Sequence, residues 1–333
     1  MKLFEVILTL AAIMIVANAS SSVEIDARGA SFPKAVYAEW IEAYEAETGT
    51  RIIYEPTGSG DGIVSAVQRT ADFSGTDKPL QPWKLKRYDL KMFPAIVGSI
   101  VLTYNIPGVG DNELKLSEEA IGAIFSGRAK FWDDPSISKH NKGLKLPHEP
   151  ITVVVRTDGS GTTYNLTYYL RKIDYKHFKK ADKLYDWEAN TIGAKGSSGV
   201  SKLIKDTPYC IGYVDYSNKK KYNLHCATVE NKEGKWVLPS LQSATIGAKY
   251  ANLDKKKDFF GVIAYQEGKS SYPIIATSFI LLPTENKEKN KEIIKFFDWA
   301  FNNGEYIANK HGFAMLPEKT IRDIKSYWSE NIL

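Results

Sequence analysis

Cysteine and histidine are scarce in this chain, and their scarcity removes several kinds of chemistry. Of 333 residues two are Cys and five are His. His140, His148, His177, His225 and His311 lie apart in polar stretches or at element ends, so no His/Cys/Asp cluster has metal-ligand spacing and neither a metal nor a cofactor is expected. Asp158-Gly159-Ser160-Gly161 fails the Gly-x-Ser-x-Gly pattern and has no neighbouring base, so Ser160 reads as a hydrogen-bond donor and not as a nucleophile. Gly193-Ala194-Lys195-Gly196-Ser197-Ser198-Gly199 lacks the Gly spacing and Gly-Lys-Ser/Thr ending of a nucleotide-binding loop; it reads as a turn near a cleft, before a short helix over 200–205. Beyond the first twenty residues no apolar run is long enough to span a bilayer. Tandem repeats and low-complexity tracts are missing too. The formal charge of +5 is spread among lysine runs such as Lys219-Lys220-Lys221 and Lys255-Lys256-Lys257, without interleaved aromatics, so no nucleic-acid partner is expected.

The N-terminus carries an address. Met1-Lys2, an apolar run over 6–16 and then Ala17-Asn18-Ala19 have the layout of a secretory signal over 1–19 with cleavage before Ser20, although Glu5 is unusual in such a segment. No Cys follows the cleavage point, so no lipid anchor is expected and the mature chain is placed outside the cytoplasm. An oxidising compartment allows Cys210 and Cys226 to pair, and a disulfide between them is the expectation.

From there strand and helix signals alternate, which predicts an α/β protein with mostly parallel sheets. A helix over 34–48 is expected, with Val36, Trp40, Ile41 and Tyr44 inward and Gly49 as its stop. A strand over 51–54, a polar turn through Thr57-Gly58-Ser59-Gly60-Asp61-Gly62 and a helix over 63–69 repeat that layout, followed by a short strand running into Asp77. Ser117 caps a helix to 125. Late helices are read over 287–303 and 318–331. Two long apolar strands, 96–105 and 274–282, are placed to cross between domains, which gives a hinged two-lobed architecture: 20–97 plus 275–333 as the first lobe, 98–274 as the second.

The richest stretch is Arg156-Thr157-Asp158-Gly159-Ser160-Gly161-Thr162-Thr163, between an apolar strand and a helix. Uncovered N–H groups at the glycines, the hydroxyls and the positive end of the following helix all favour an anion. Arg156 adds a cationic fork, yet Asp158 places a carboxylate beside it. Similar strand-turn-helix junctions occur at Ser31-Phe32 and Gly58-Ser59-Gly60, and in open α/β sheets such strand ends line the ligand crevice. Two lobes closing on these turns would surround a small anion with donors.

The motifs Gly29-Ala30-Ser31-Phe32-Pro33, Gly58-Ser59-Gly60, Asp72-Phe73-Ser74-Gly75-Thr76-Asp77, Asn105-Ile106-Pro107-Gly108, Trp132-Asp133-Asp134, Arg156 to Thr162, Ile211-Gly212-Tyr213-Val214 and Phe296-Phe297-Asp298-Trp299-Ala300 resemble, in order and across both lobes, the phosphate-binding proteins of bacterial high-affinity phosphate ABC transporters. The resemblance implies a periplasmic-binding-protein fold of type II, with one phosphate buried between lobes joined by crossover strands. It implies a monomer that delivers its ligand to a membrane permease and its ATPase. Carried over by position, it implies ligand contacts from Ser31, the backbone of Phe32, Ser59 and Asp77 on the first lobe. Arg156, Asp158, Ser160, Gly161 and Thr162 would face them from the second.

Two positions depart from the family's pattern. Ser31 stands where Thr is frequent, which keeps the hydroxyl, and Asp61 stands where a small residue is usual; it is expected to point to solvent as a helix-start acid. The acids within the site divide by role. Asp77 would accept a hydrogen bond from a phosphate O–H, which sulfate cannot offer, and Asp158 would hold the Arg156 fork towards the ligand. A sensor or surface protein of the same fold, or a phosphomonoester hydrolase, are the alternatives; the hydrolase lacks a base or metal site.

Overall fold

Strands and helices alternate around one ten-stranded mixed sheet in a computed structural model that describes residues 24–333; the expected signal over 1–19 lies outside the described residues. The first wing holds β1 (Glu24–Gly29), β2 (Arg51–Glu55) and β3 (Phe73–Thr76), then comes the long β4 (Leu90–Asn105), and the second wing holds β5 (Thr152–Arg156), β6 (Thr191–Ala194) and β7 (Cys210–Asp215) before the chain returns as β8 (Ile275–Pro283). The order across the sheet is β2-β1-β3-β8-β4-β7-β5-β6. Each wing is parallel, as the strand-helix alternation predicts, and the centre is antiparallel, because β8 runs against both β3 and β4 and β4 runs against β7.

The centre joins the lobes. β4 begins six residues before the expected 96, since 90–94 also pair with β8. Residues Leu90 to Ser99 face β8, whereas Ile100 to Asn105 face β7. The register with β8 slips between Ser278 and Phe279, opposite Pro94 to Ile96; a proline has no N–H for the ladder, and a bulge absorbs that loss. Aromatic side chains pack the first lobe beneath β4, with the Phe297 ring 5.4 Å from those of both Phe73 and Phe93.

Helix α1 (Lys34–Thr48) forms over the expected span and ends at Gly49, whose φ of 73° lets its N–H reach Glu45 O. The helices Lys287–Asn303 and Glu318–Asn331 also form where expected. Two other starts move. Helix α2 (Ser59–Gln68) begins four residues before the expected 63, and α4 (Gly196–Asp206) begins four before the expected 200; between them in the chain lies α3 (Gly161–Ile173). Both displaced starts are Gly/Ser segments, which composition alone assigns to turns. Here Gly58, at φ 110°, makes the turn and the Gly/Ser residues after it are already helical.

The expected disulfide is not formed. Cys210 and Cys226 are free and buried. Cys210 pairs with Asn105 along one edge of β4 and Cys226 with Thr103 along the other, so β4 separates them by two strand spacings, about 10 Å, beyond the reach of an S–S bond. Burial pushes both thiols up to about 12, which leaves them unreactive at neutral pH.

Candidate functional site

Three strand ends of the first wing and one of the second meet where the lobes touch. Ser31 follows β1 and α1 begins three residues later. Ser59 opens α2, and Asp77 follows β3. On the other side Arg156 ends β5, Ser160 caps α3, and Gly161 and Thr162 form its first turn. Close backbone approach fixes this geometry: a Cβ on Gly29 would stand 2.1 Å from Gly75 O, and one on Gly161 would stand 2.4 Å from Ser59 Oγ and 2.5 Å from Asp77 Cβ. Glycine at 161 therefore lets the second lobe press its helix N-terminus against the first lobe's acid.

The lobes are closed. Gly60 N donates to Gly159 O at 2.7 Å, the Ser31 and Ser197 hydroxyls lie 3.2 Å apart, and Asn165 Nδ2 donates to Asp77 O at 2.7 Å. Lys78 and Asp182 form an ion pair across the rim at 3.4 Å. Ser31, Ser59, Asp77, Arg156, Asp158 and Gly161 meet across this interface, and Asp77 (2% exposed) and Arg156 (6%) are out of water with it.

The two acids have opposite surroundings. Asp158 takes both Nε and Nη2 of Arg156 on its two oxygens, with Nε at 2.6 Å, and its Oδ1 also accepts the Gly196 N–H at 2.9 Å. Burial alone would raise its pKa, but the guanidinium and that N–H outweigh it and hold the carboxyl below its ordinary value. The pairing turns Arg156 so that Nη1 lies towards Ser197 Oγ, 3.4 Å away. Tyr213 supports the same strand end, since its hydroxyl accepts the Arg156 N–H at 3.2 Å and lies 2.7 Å from Thr163 Oγ1.

Asp77 has no cation in direct contact. Ser59 Oγ accepts its N–H at 3.0 Å and donates to Oδ2 at 3.3 Å, while Oδ1 is buried without a protein partner. Burial pushes this carboxyl up to about 7; the Ser278 and Ser59 hydroxyls and the Arg156 charge pull the other way, and buried Asp215 adds to the rise. In the first turn of α3, Thr162 Oγ1 is likewise buried without a partner among the described residues. Ser160 spends one lone pair capping α3, accepting Thr163 N at 3.1 Å, and keeps its hydroxyl proton. The first-turn N–H groups of α3 add donors with the positive end of the helix dipole. An acceptor, a set of donors and a fixed cation thus lie at one interface.

Asp61 is outside this group: exposed in the first turn of α2, it accepts the Thr57 hydroxyl at 2.5 Å. Sequence reasoning missed Ser197, which touches both Ser31 and Arg156, and Asn165, which reaches Asp77. The Gly-Ser-Ser-Gly run was a signal for the first; the second carried none, because a mid-helix Asn is ordinary. Among the described residues no group of three or more His, Cys, Asp or Glu could hold a metal, and no helix is long and apolar enough to cross a membrane.

A hinged pair of α/β lobes closing on a buried, donor-lined cleft defines a solute-binding protein, and the PBP superfamily domain matches residues 16–303. The chain is 38% identical over 312 residues to the phosphate-binding protein PstS of Pasteurella multocida, covering 92% of this chain and 90% of that one. To the phosphate-binding protein PstS of Methanocaldococcus jannaschii it is 37% identical over 328 residues, covering 90% and 84%. It belongs to the PstS family of phosphate-binding proteins, which are solute receptors and not enzymes. Its fold is that of a high-affinity periplasmic phosphate-binding protein solved with phosphate, at a TM-score of 0.75 and 18% identity over 91% of this chain and 93% of the other.

Proposed function

We propose that this chain captures inorganic phosphate between its lobes outside the cytoplasm and delivers it to the permease of an ABC importer. The observation that carries the reading is Asp77: a buried carboxylate whose Oδ1 has no hydrogen-bond partner among the described residues, packed against Gly161 at the head of α3 in the opposite lobe. Near neutral pH phosphate keeps a proton to donate to that oxygen, whereas sulfate brings only acceptors and a like charge. A buried polar group left unpaired costs about 1–3 kcal/mol, and sites built around such a bond reject the analogue lacking it by factors of about 10⁴.

In this reading Ser31, the Phe32 backbone and Ser59 hold the anion from the first lobe with Asp77, and Ser160, Gly161, Thr162 and the Arg156 fork hold it from the second, with Asp158 orienting the fork. Ser197 and Tyr213 support Arg156. Open lobes admit the anion, closure adds the contacts of the far side, and the closed form is what the permease recognises. Residues 20–97 with 275–333 make the first lobe and 98–274 the second, a division supported by the change of partner along β4 at Ser99 and Ile100. Residues 1–19 direct the chain to the periplasm as a monomer. Calorimetric titration of the purified mature protein with phosphate and then sulfate tests the reading. Tight binding of phosphate alone is expected, and equal binding of both, or of neither, refutes it.

A further inference from the structure

The Asn165 side chain has geometry that the phosphate contacts do not require. It lies in α3, 2% exposed, and its Nδ2 donates twice: to Gly161 O in its own lobe at 2.9 Å and to Asp77 O in the other at 2.7 Å. Two carbonyl acceptors on one side of the amide fix its orientation, because the flipped form would set Oδ1 against both. The main chain of Asp77 is thereby shared between lobes. Its N–H is held by Ser59 within the first lobe, and its C=O is held by Asn165 from the second.

We propose that Asn165 is a positioning residue for closure: it clasps the backbone of the anion-selecting Asp77 to the head of α3, so that part of the closed state's stability is independent of which anion is bound. The proposal rests on the phosphate reading for its affinity arm. Asn165 is too occupied with carbonyls to read the ligand, and its bond with Asp77 breaks when the lobes part. The clasp therefore slows release and leaves capture and selectivity alone, whereas Asp77 itself sets selectivity.

Stopped-flow binding and small-angle scattering on the full mature chain test this, with Asn165→Ala and the nearly isosteric Asn165→Asp. For Asn165→Ala the phosphate dissociation rate should rise roughly three- to tenfold, the range of one lost buried hydrogen bond, with the association rate and the phosphate-to-sulfate ratio unchanged. Asn165→Asp, which sets carboxylate oxygens against both carbonyls, should lose more. Without phosphate, either variant should have a larger radius of gyration than the wild type. Melting curves confirm that each variant folds, and if one fails the other carries the comparison. Unchanged dissociation rates, a shifted phosphate-to-sulfate ratio, or equal ligand-free radii would overturn the clasp. A wild type that binds no phosphate defeats the functional reading instead, and the ligand-free scattering then still decides the clasp.

Discussion

The two halves of the cleft are built alike, each with a strand end, a Gly/Ser turn and a helix N-terminus, yet they treat their acids in opposite ways. In the second lobe Asp158 is neutralised within the protein, doubly bonded to Arg156, and its carboxyl is held down. In the first lobe Asp77 is left with a free oxygen and its carboxyl is pushed up to about 7. The difference teaches that an acid in an anion site is not one feature but two. In the proposed reading the paired acid shapes the cation that attracts and the unpaired acid interrogates the ligand for a proton, which would concentrate affinity in the second lobe and selectivity in the first.

Removing the paired side should do the most damage. Arg156→Met takes away the cation and strands Asp158 in a largely buried site; breaking a buried pair in this way costs about 3–5 kcal/mol. Phosphate affinity should fall by at least about a hundredfold, read by calorimetry. A loss of less than tenfold would mean that the helix ends, and not the fork, carry the attraction.

Asp77→Asn should have the next largest effect, and of a different kind. The amide can donate to sulfate, so the phosphate-to-sulfate ratio should drop by a factor of about 10² or more while phosphate binding weakens far less. An unchanged ratio breaks the division of labour between the lobes. The same comparison has a pH arm. As pH falls through about 7, the Asp77 carboxyl gains a proton and becomes a donor, so sulfate competition in the wild type should be negligible at pH 8.5 and grow below pH 7. In Asp77→Asn that pH dependence should vanish.

Stability should respond in the reverse sense. A buried acid whose folded pKa is raised contributes fully below its unfolded value, near 3.8, and loses that contribution as pH rises through its folded value, about 7. With the lobes closed and no anion bound, the wild type therefore holds a destabilising charge above pH 7. Asp77→Asn should melt higher than the wild type at pH 8, by a free energy on the order of a few kcal/mol at most, with the gap closing towards pH 4. A variant that is more stable and less selective is the signature of a residue kept for recognition.

Much of this was legible in the sequence, and the exceptions have physical reasons. The helices over 34–48, 287–303 and 318–331 show the apolar spacing of amphipathic segments with clear ends, and their bounds follow from it. The starts of α2 and α4 do not, because Gly and Ser are poor helix formers that adopt the first turn only where the far lobe packs on it; Gly60 N reaching Gly159 O is such a contact. The roles of Asp158 and Asp61 could be argued from neighbours in the chain. Asn165 could not, since its partner is 88 residues away, and the two cysteines misled because spacing along the chain does not reveal the strand between them.

The smallest expected effect sharpens the comparison from outside the site. Asp61 is the third acid beside these turns, in the first turn of α2, and a carboxylate there would repel an anion if it faced the cleft. It does not: it is exposed, accepts the Thr57 hydroxyl and complements the helix dipole. Through about a Debye length of salt solution its charge is largely screened from the buried site. Asp61→Asn should therefore leave phosphate affinity within about twofold at 0.15 M salt, and lower the stability of the protein by about 0.3–1 kcal/mol through the lost charge at the helix start. A tenfold gain in affinity would instead make Asp61 a third member of the set that Asp77 and Asp158 define, an acid that tunes how tightly the anion is held.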